Sequence, residues 1–270
     1  AEGQAPRPPR HPSTLSPFAH RVFLALWLAS FASNLGNAVQ SVGASWLMTS
    51  IAPAADMVAL VQTAMSLPIM LFALIAGAIA DLFDRRKVML TAQIAMATAS
   101  FLLAGLGFAG LVTPWLLLSL TFLLGAGVAL FGPAMQVTVG EVVPRPELAG
   151  AVSLNILGFN VARSLGPALG GAIVAASGAA AAFLLNALSY LGLVAVLWRW
   201  QPDLPPRVLP RERLGVAMAA GLRYVWLSPH LRAVLIRAAL FGLGAGAVPA
   251  LMPLVARDLV GGGALVYGIL

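Results

Sequence analysis

Apolar stretches long enough to cross a membrane recur along almost the whole chain, and the basic residues fall between alternate pairs of them. Helices are expected over Phe18–Ser50, Met57–Ala80, Val88–Ala109, Pro114–Val139, Leu148–Ser177 and Ala179–Trp198. A seventh is expected over Leu231–Val255, and an eighth begins at Ala264 and runs to Leu270. Each complete stretch reaches the ~20 residues that span ~30 Å of hydrocarbon. Lipid offers no partners to open backbone groups, so such stretches become helices. Composition agrees: 60% of the residues are hydrophobic and 9% charged, with a mean hydropathy of +0.92. Soluble domains are about half apolar and a quarter charged. The fold class is an all-α polytopic membrane protein.

The cations give an orientation. Arg7, Arg10 and Arg21 lie in or beside the N-terminal tail, and Arg85, Arg86 and Lys87 in the second connection. Arg145 lies in the fourth, and Arg199, Arg207, Arg211, Arg213 and Arg223 in the sixth. The first, third and fifth connections carry no Lys or Arg, and the seventh carries Arg257. Loops rich in Lys and Arg stay in the cytoplasm, which puts the N-terminus and the even-numbered loops there. The formal charge of +7 is then a record of topology and calls for no nucleic acid.

Enzyme chemistry finds no support. The chain has no cysteine, and its three histidines, His11, His20 and His230, lie in the tail or near helix ends. No His/Asp/Glu set has metal-ligand spacing and no nucleophile–base set can be assembled, so no catalytic residue, metal or cofactor is expected.

The expected organisation has four parts. Residues 1–17 form a proline-rich, basic, disordered cytoplasmic tail. Residues 18–199 form a six-helix transmembrane bundle. Residues 200–230 form a cytoplasmic linker in which Leu214, Met218, Leu222 and Val225 recur at helical spacing, as on a helix lying along the membrane surface. Residues 231–270 begin a second bundle. A first residue that is not Met and an end inside an apolar helix read as part of a longer protein, whose remaining half transport would require.

Three segments carry candidate function. The connection Gly77-Ala-Ile-Ala-Asp81-Leu-Phe-Asp84-Arg85-Arg86-Lys87 joins the second and third helices. Gly77 would admit a close helix, and Asp81 would pair with a cation or a helix N-terminus. The competing reading is a loop that only sets topology. The fifth helix presents Gly158, Ala162, Gly166 and Gly170 every four residues, a bare stripe for another helix, with Pro167 and Gly171 beside it. Arg163 is a guanidinium deep in that helix with Asn160 nearly on the same face, and it should face the interior or a water-filled cavity. It would contact substrate or pair structurally. The first helix carries Ser30, Ser33, Asn34, Asn37, Ser41 and Ser45 at three- to four-residue spacing, with Gln40 adjacent. That side would line a cavity or hydrogen-bond another helix. Gln62 and Gln136 are further cavity candidates, near Pro68 and Pro133, which would interrupt their helices.

These motifs carry a resemblance. The loop resembles the major facilitator superfamily signature Gly-x-Leu-Ala-Asp-Arg-x-Gly-Arg-Arg/Lys, matching at Gly77, Ala80, Asp81, Arg85 and Arg86, with Leu82 and Asp84 replacing an arginine and a glycine. Gly166-Pro167-x-x-Gly170-Gly171 resembles the antiporter motif of that superfamily, with Ser153 and Ala162 where the fuller motif has glycines. With Asn34-Leu-Gly36-Asn37 and Glu141-Val-Val-Pro144-Arg-Pro-Glu147, the order resembles the branch that contains the bacterial enterobactin exporter and drug:proton antiporters. The resemblance implies two six-helix halves, a substrate between them, rocking alternating access and a gating role for Asp81 and Arg85. It implies proton-coupled export of a drug-like or siderophore-like small molecule across the bacterial inner membrane. In that branch an aspartate often follows Ser-Asn-Leu-Gly; here Asn37 stands there, which removes one candidate proton carrier. An importer on the same fold and a non-transporting membrane scaffold are the alternatives.

Overall fold

The computed structural model describes residues 13–52, 54–201 and 214–270. Eight α-helices follow in order: α1 (Arg21–Ile51), α2 (Ala55–Leu82), α3 (Arg85–Phe108), α4 (Pro114–Val142), α5 (Leu148–Arg199), α6 (Leu214–Leu227), α7 (Pro229–Leu254) and α8 (Ala264–Ile269). No strand occurs among the described residues. Among the described residues, six helical stretches are long and apolar enough to cross a membrane, and α5 is the longest helix.

Local chemistry fixes the helix ends. Asp84 opens α3, its carboxylate accepting from the backbone N–H groups of Arg86 (3.0 Å) and Lys87 (3.4 Å). Thr113 and Ser228 cap α4 and α7, each followed by proline at the first helical position, where a missing N–H costs nothing. Gly110, at φ +68°, closes α3: its N–H reaches the Gly107 carbonyl and the Leu111 N–H reaches that of Leu106. Within α5, Gly178 sits at φ +79° and ψ +170°, backbone that only glycine adopts without strain. It divides α5 into a first arm, residues 148–177, and a second, residues 179–199, where the sequence places two helices.

The most extensive packing is α1 on α5. The small-residue stripe faces α1 along its length. A Cβ on Gly158 would stand 3.1 Å from the Trp27 ring, one on Gly166 would collide with the Ala38 Cβ, and one on Gly170 would stand 3.0 Å from the Val39 Cα. The Trp27 indole N–H donates to the Leu154 carbonyl at 2.9 Å, fixing the register. A second close crossing joins α2 and α4, where Gly125 lies against the Met65 carbonyl and the Pro68 ring. The core behind them gathers Met48, Met96, Leu103, Leu117, Phe183 and Tyr190. Outward, Leu28, Met70, Phe101, Trp115 and Ile156 are exposed, the apolar exterior that a bilayer solvates.

Three expectations are corrected. Residues 1–12 of the expected tail lie outside the described residues, but Ser16 and Pro17, placed in it, form a 3-10 turn with Phe18 and Ala19. Pro17 is buried there against Gly150. Pro68 and Pro133 do not interrupt α2 and α4, which run through both prolines. No helix among the described residues packs on Gly77, where a Cβ meets open space. The linker residues 202–213 lie outside the described residues, and α6 forms where the helical spacing was read.

The α1–α5 seam yields a test. Gly170→Ala should lower the thermal unfolding temperature of the purified protein in detergent, costing about 1–3 kcal/mol by overpacking. Gly192→Ala, where a Cβ meets open space, should leave it unchanged or higher, because alanine is the better helix former.

Candidate functional site

Polar groups concentrate at three levels of the bundle. At the first, the α2–α3 loop draws four helices together, α2 to α5. The Arg85 guanidinium pairs with the Glu141 carboxylate at the end of α4, and its Nε donates to the Ala80 carbonyl at 3.2 Å. Arg86 donates to the Leu197 (2.7 Å) and Trp198 (2.6 Å) carbonyls in the last turn of α5, where helix carbonyls have no partners of their own and carry partial negative charge. Asp84, read as a replaced glycine, is the α3 cap. The Asp81 side chain lies outside those described. At the same end His20 meets Glu147 at 3.0 Å, joining the start of α1 to the start of α5.

At the second level, in the middle of the bundle, Asn37 and Gln40 of α1 meet Ser100 of α3 and Asn186 and Tyr190 of the second arm of α5. Gln40 Oε1 accepts from Ser100 Oγ at 2.7 Å and from Asn186 Nδ2 at 2.6 Å. Asn186 Nδ2 also lies 3.2 Å from the Tyr190 hydroxyl, which donates to Asn37 Oδ1. Gly36 is required beneath this cluster, since a Cβ there would collide with Ser189 Oγ and Asn186 Oδ1. Every member is neutral. The α1 polar stripe therefore hydrogen-bonds other helices, the competing reading, and it also borders a cavity, lined by Asn37, Gln40 and Ser41 of α1, Val61 and Met65 of α2, and Thr121 of α4. Sequence reasoning missed Asn186, Ser189 and Tyr190, although their i, i+3, i+4 spacing in an otherwise apolar arm was the available signal.

The third level is the opposite end, where the second bundle begins. Val255–Leu259 forms one π-helical turn after α7. From it Arg257 Nη1 donates to the Thr49 carbonyl in the last turn of α1 at 2.6 Å, while Asp258 holds the guanidinium through two bonds of 2.6 and 3.0 Å. Trp46 stacks on Tyr267 of α8, with ring centroids 6.4 Å apart. Gly268 of α8 lies directly on Gly171 and the Pro167 carbonyl, so the Gly-Pro segment of α5 is where α8 docks.

The remaining candidates do not join these clusters. Arg163 and Asn160 are exposed on a face of α5 turned away from α1, and Arg163 has no hydrogen-bond or ion-pair partner among the described residues. Arg163 was expected to face the interior or a water-filled cavity; among the described residues it is exposed, because the glycine stripe claims the face packed on α1. Gln136 is exposed, and Asn34 and Gln62 are half-buried. No group of His, Cys, Asp or Glu among the described residues could hold a metal ion.

This architecture has known counterparts. The sequence profile of the family described as transmembrane secretion effector matches residues 12–270. The multidrug efflux pump Tap of Mycobacterium tuberculosis is 29% identical over 216 residues, covering 76% of this chain and 50% of Tap. The staphyloferrin A transporter of Staphylococcus aureus is 28% identical over 171 residues, 63% of this chain and 42% of that protein. The chain thus spans about half the length of the curated relatives it matches. Among solved structures, a bacterial homolog of the human lysosomal transporter Spinster superposes with a TM-score of 0.70 at 17% identity, over 94% of this chain and 58% of that one. A multi-pass helical bundle with this loop and this fifth helix, matched by one profile over nearly its whole length, belongs to the transmembrane secretion effector family of major facilitator transporters.

Proposed function

We propose that the chain is the first half, with the start of the second, of a secondary active exporter of a small, drug-like or siderophore-like molecule. It works in the bacterial cytoplasmic membrane, with its N-terminus and the α2–α3 loop in the cytoplasm and proton flow as the drive. The observation that carries this reading is the contact across the boundary between bundles, where α7 and α8 meet α1, α2 and α5. There a guanidinium reaches a backbone carbonyl, Tyr267 stacks on Trp46, Ala264 packs beside Val39 and Val42, and glycine crosses glycine. Contacts of that size can form and part as two rigid bundles rock, whereas the α1–α5 seam cannot. With the α2–α3 loop in the cytoplasm, they close the outer side. The Spinster homolog was solved inward-facing, the same phase of such a cycle.

Export rather than import is supported by the likeness to Tap, and the midplane candidates fit a passage. A guanidinium at the centre of a membrane helix costs about 3 kcal/mol on insertion scales unless it meets protein or water. Arg163 has no partner among the described residues, so in the complete transporter its face, shared with Asn160, borders the space between bundles and meets substrate there. Arg85 and Arg86 act in the gate by holding α2–α3 to α4 and α5, with Asp84 fixing the start of α3, so that the loop moves with the first bundle as one body. Asn37 lines the substrate side, with Asn34, Gln62 and Gln136 as outlying members, while Gln40 supports Asn37 from within the hydrogen-bonded network. The coupling acid lies elsewhere, because the mid-bundle cluster is neutral.

In inside-out vesicles carrying the full-length protein, an imposed proton gradient should drive uptake of a fluorescent efflux dye. Gradient-driven movement the other way would establish the importer, and none with any of a broad dye and siderophore panel the scaffold. Arg163→Ala should lower that flux at least tenfold while the protein still folds; unchanged flux and folding would remove Arg163 from the passage.

Arg257→Gln should weaken outer closure. A cysteine at position 49, buried beneath the Arg257 contact, should then react several-fold faster with an impermeant maleimide added from outside; an unchanged rate would show that Arg257 does not hold the outer end shut.

A further inference from the structure

The mid-bundle cluster leaves two buried polar atoms without partners among the described residues, Gln40 Nε2 and Thr121 Oγ1. Gln40 is 4% exposed and Thr121 is 5% exposed, and both line the cavity between α1, α2 and α4. Orphaned donors this deep in a bundle are costly, and native interiors seldom keep them.

The direction of each group is fixed by its surroundings. Gln40 Oε1 already accepts two hydrogen bonds, from Ser100 and Asn186. Turning the amide over would set Gln40 Nε2 against Asn186 Nδ2 at 2.6 Å, donor against donor, so the network itself selects the orientation. Both N–H groups of Gln40 are therefore committed away from the network. Thr121 differs from its neighbours on α4. Ser119 and Thr138 return their hydroxyls to the carbonyl four residues earlier, at 2.8 and 2.9 Å, the usual refuge of a hydroxyl in a helix. Thr121 makes no such bond.

The space that both residues line is small, about 20 Å³. A water needs roughly 10–15 Å³ measured in this way, together with two or more polar partners. Val61 and Met65 of α2 form apolar wall, while Asn37 and Ser41 add polar edge. Nothing charged lines the site, so it selects neither an ion nor an ionised group. The occupant it fits is a single uncharged oxygen that accepts from an amide and exchanges one bond with a hydroxyl.

We propose that this cavity is a site for one internal water, held by Gln40 Nε2 and Thr121 Oγ1. The water extends the cluster on α1, α3 and the second arm of α5 to α4, so that four membrane segments share one polar network. Its role is to stiffen the first bundle, and it does not depend on what the transporter carries.

The test uses the full-length protein in lipid nanodiscs, in buffer without transported compounds. Thr121→Val keeps the shape and removes the hydroxyl; Thr121→Ser keeps the hydroxyl. The valine variant should unfold several degrees below wild type, and the serine variant should recover most of the loss. A high-resolution map of the wild type should show one spherical peak within hydrogen-bonding distance of both atoms, and the valine variant should lose it. A valine variant as stable as wild type or more so would overturn the proposal, because that is the outcome for a hydroxyl with nothing to bond. A wild-type map without the peak, or with density longer than one atom, would overturn it as well. Transport plays no part in these readouts, so failure of the exporter reading would leave them unchanged.

Discussion

The close approach of α1 to the first arm of α5 is the constraint on which the rest of the bundle depends. Lipid tails are as apolar as leucine, so helices inside a membrane gain little from burying apolar surface and must instead gain from fit and hydrogen bonding. The stripe Gly158, Ala162, Gly166, Gly170 supplies the fit, bringing α1 backbone to within a van der Waals radius or two of α5. Once α1 lies there, Gly36 faces the second arm of α5, and Asn186, Ser189 and Tyr190 can enter over it to bond Asn37 and Gln40. The turn at Gly178 folds the second arm back to make that meeting possible. Packing at the stripe therefore precedes, in the logic of the structure, the hydrogen bonds at the centre.

Charge and neutrality are sorted by depth. At the α2–α3 end, Arg85, Arg86, Glu141, His20 and Glu147 tie helix ends together where headgroups and water remain within reach. At the far end Arg257 and Asp258 do the same at the boundary with the second bundle. Between them the cluster of Asn37, Gln40, Ser100, Asn186 and Tyr190 uses amides and hydroxyls. A buried ion pair there would have to recover several kcal/mol of desolvation for each ion. Neutral groups hold the same helices at smaller cost, and a fixed set of donors and acceptors specifies the register.

The helices and their order were legible in the sequence because a spanning segment must be apolar over its whole length, and Lys and Arg mark where it stops. The glycine stripe was legible because a four-residue spacing of small residues has one structural use in a membrane. Partners were harder to read. A single-residue pattern shows that Asn37 and Gln40 avoid lipid, but it does not show that Asn186 and Tyr190, some 150 positions later, are what they meet. Pro68 and Pro133 misled for a related reason. Proline removes one backbone bond from a helix, and neighbouring segments in a membrane bundle can support the gap; Gly125 of α4 packs directly on the Pro68 ring. Gly77 matched the loop signature, yet the space over it is open within the described residues, because what a glycine admits depends on a surface from elsewhere in the fold.

The glycines of α5 serve two partners in succession, and this bears on how such a bundle can move. Gly158, Gly166 and Gly170 face α1 of the same bundle, while Gly171, the next position round the helix, faces Gly268 of α8. The first set forms a long seam reinforced by the Trp27–Leu154 bond, and separating it would expose several turns of backbone-deep packing at once. The second is one crossing, a little over a turn long, with no side-chain hydrogen bond at the crossing itself and glycine on both sides. Glycine–glycine crossings resist compression but little opposes sliding or tilting, since neither surface has a side chain to lock into the other. A helix that is fixed along one face and smooth at one point on another is suited to carry a pivot. The Gly170-Gly171 pair places the fixed seam and the smooth crossing at adjacent residues, so a tilt of α8 over α5 would part the Trp46–Tyr267 stack and leave the α1–α5 seam intact.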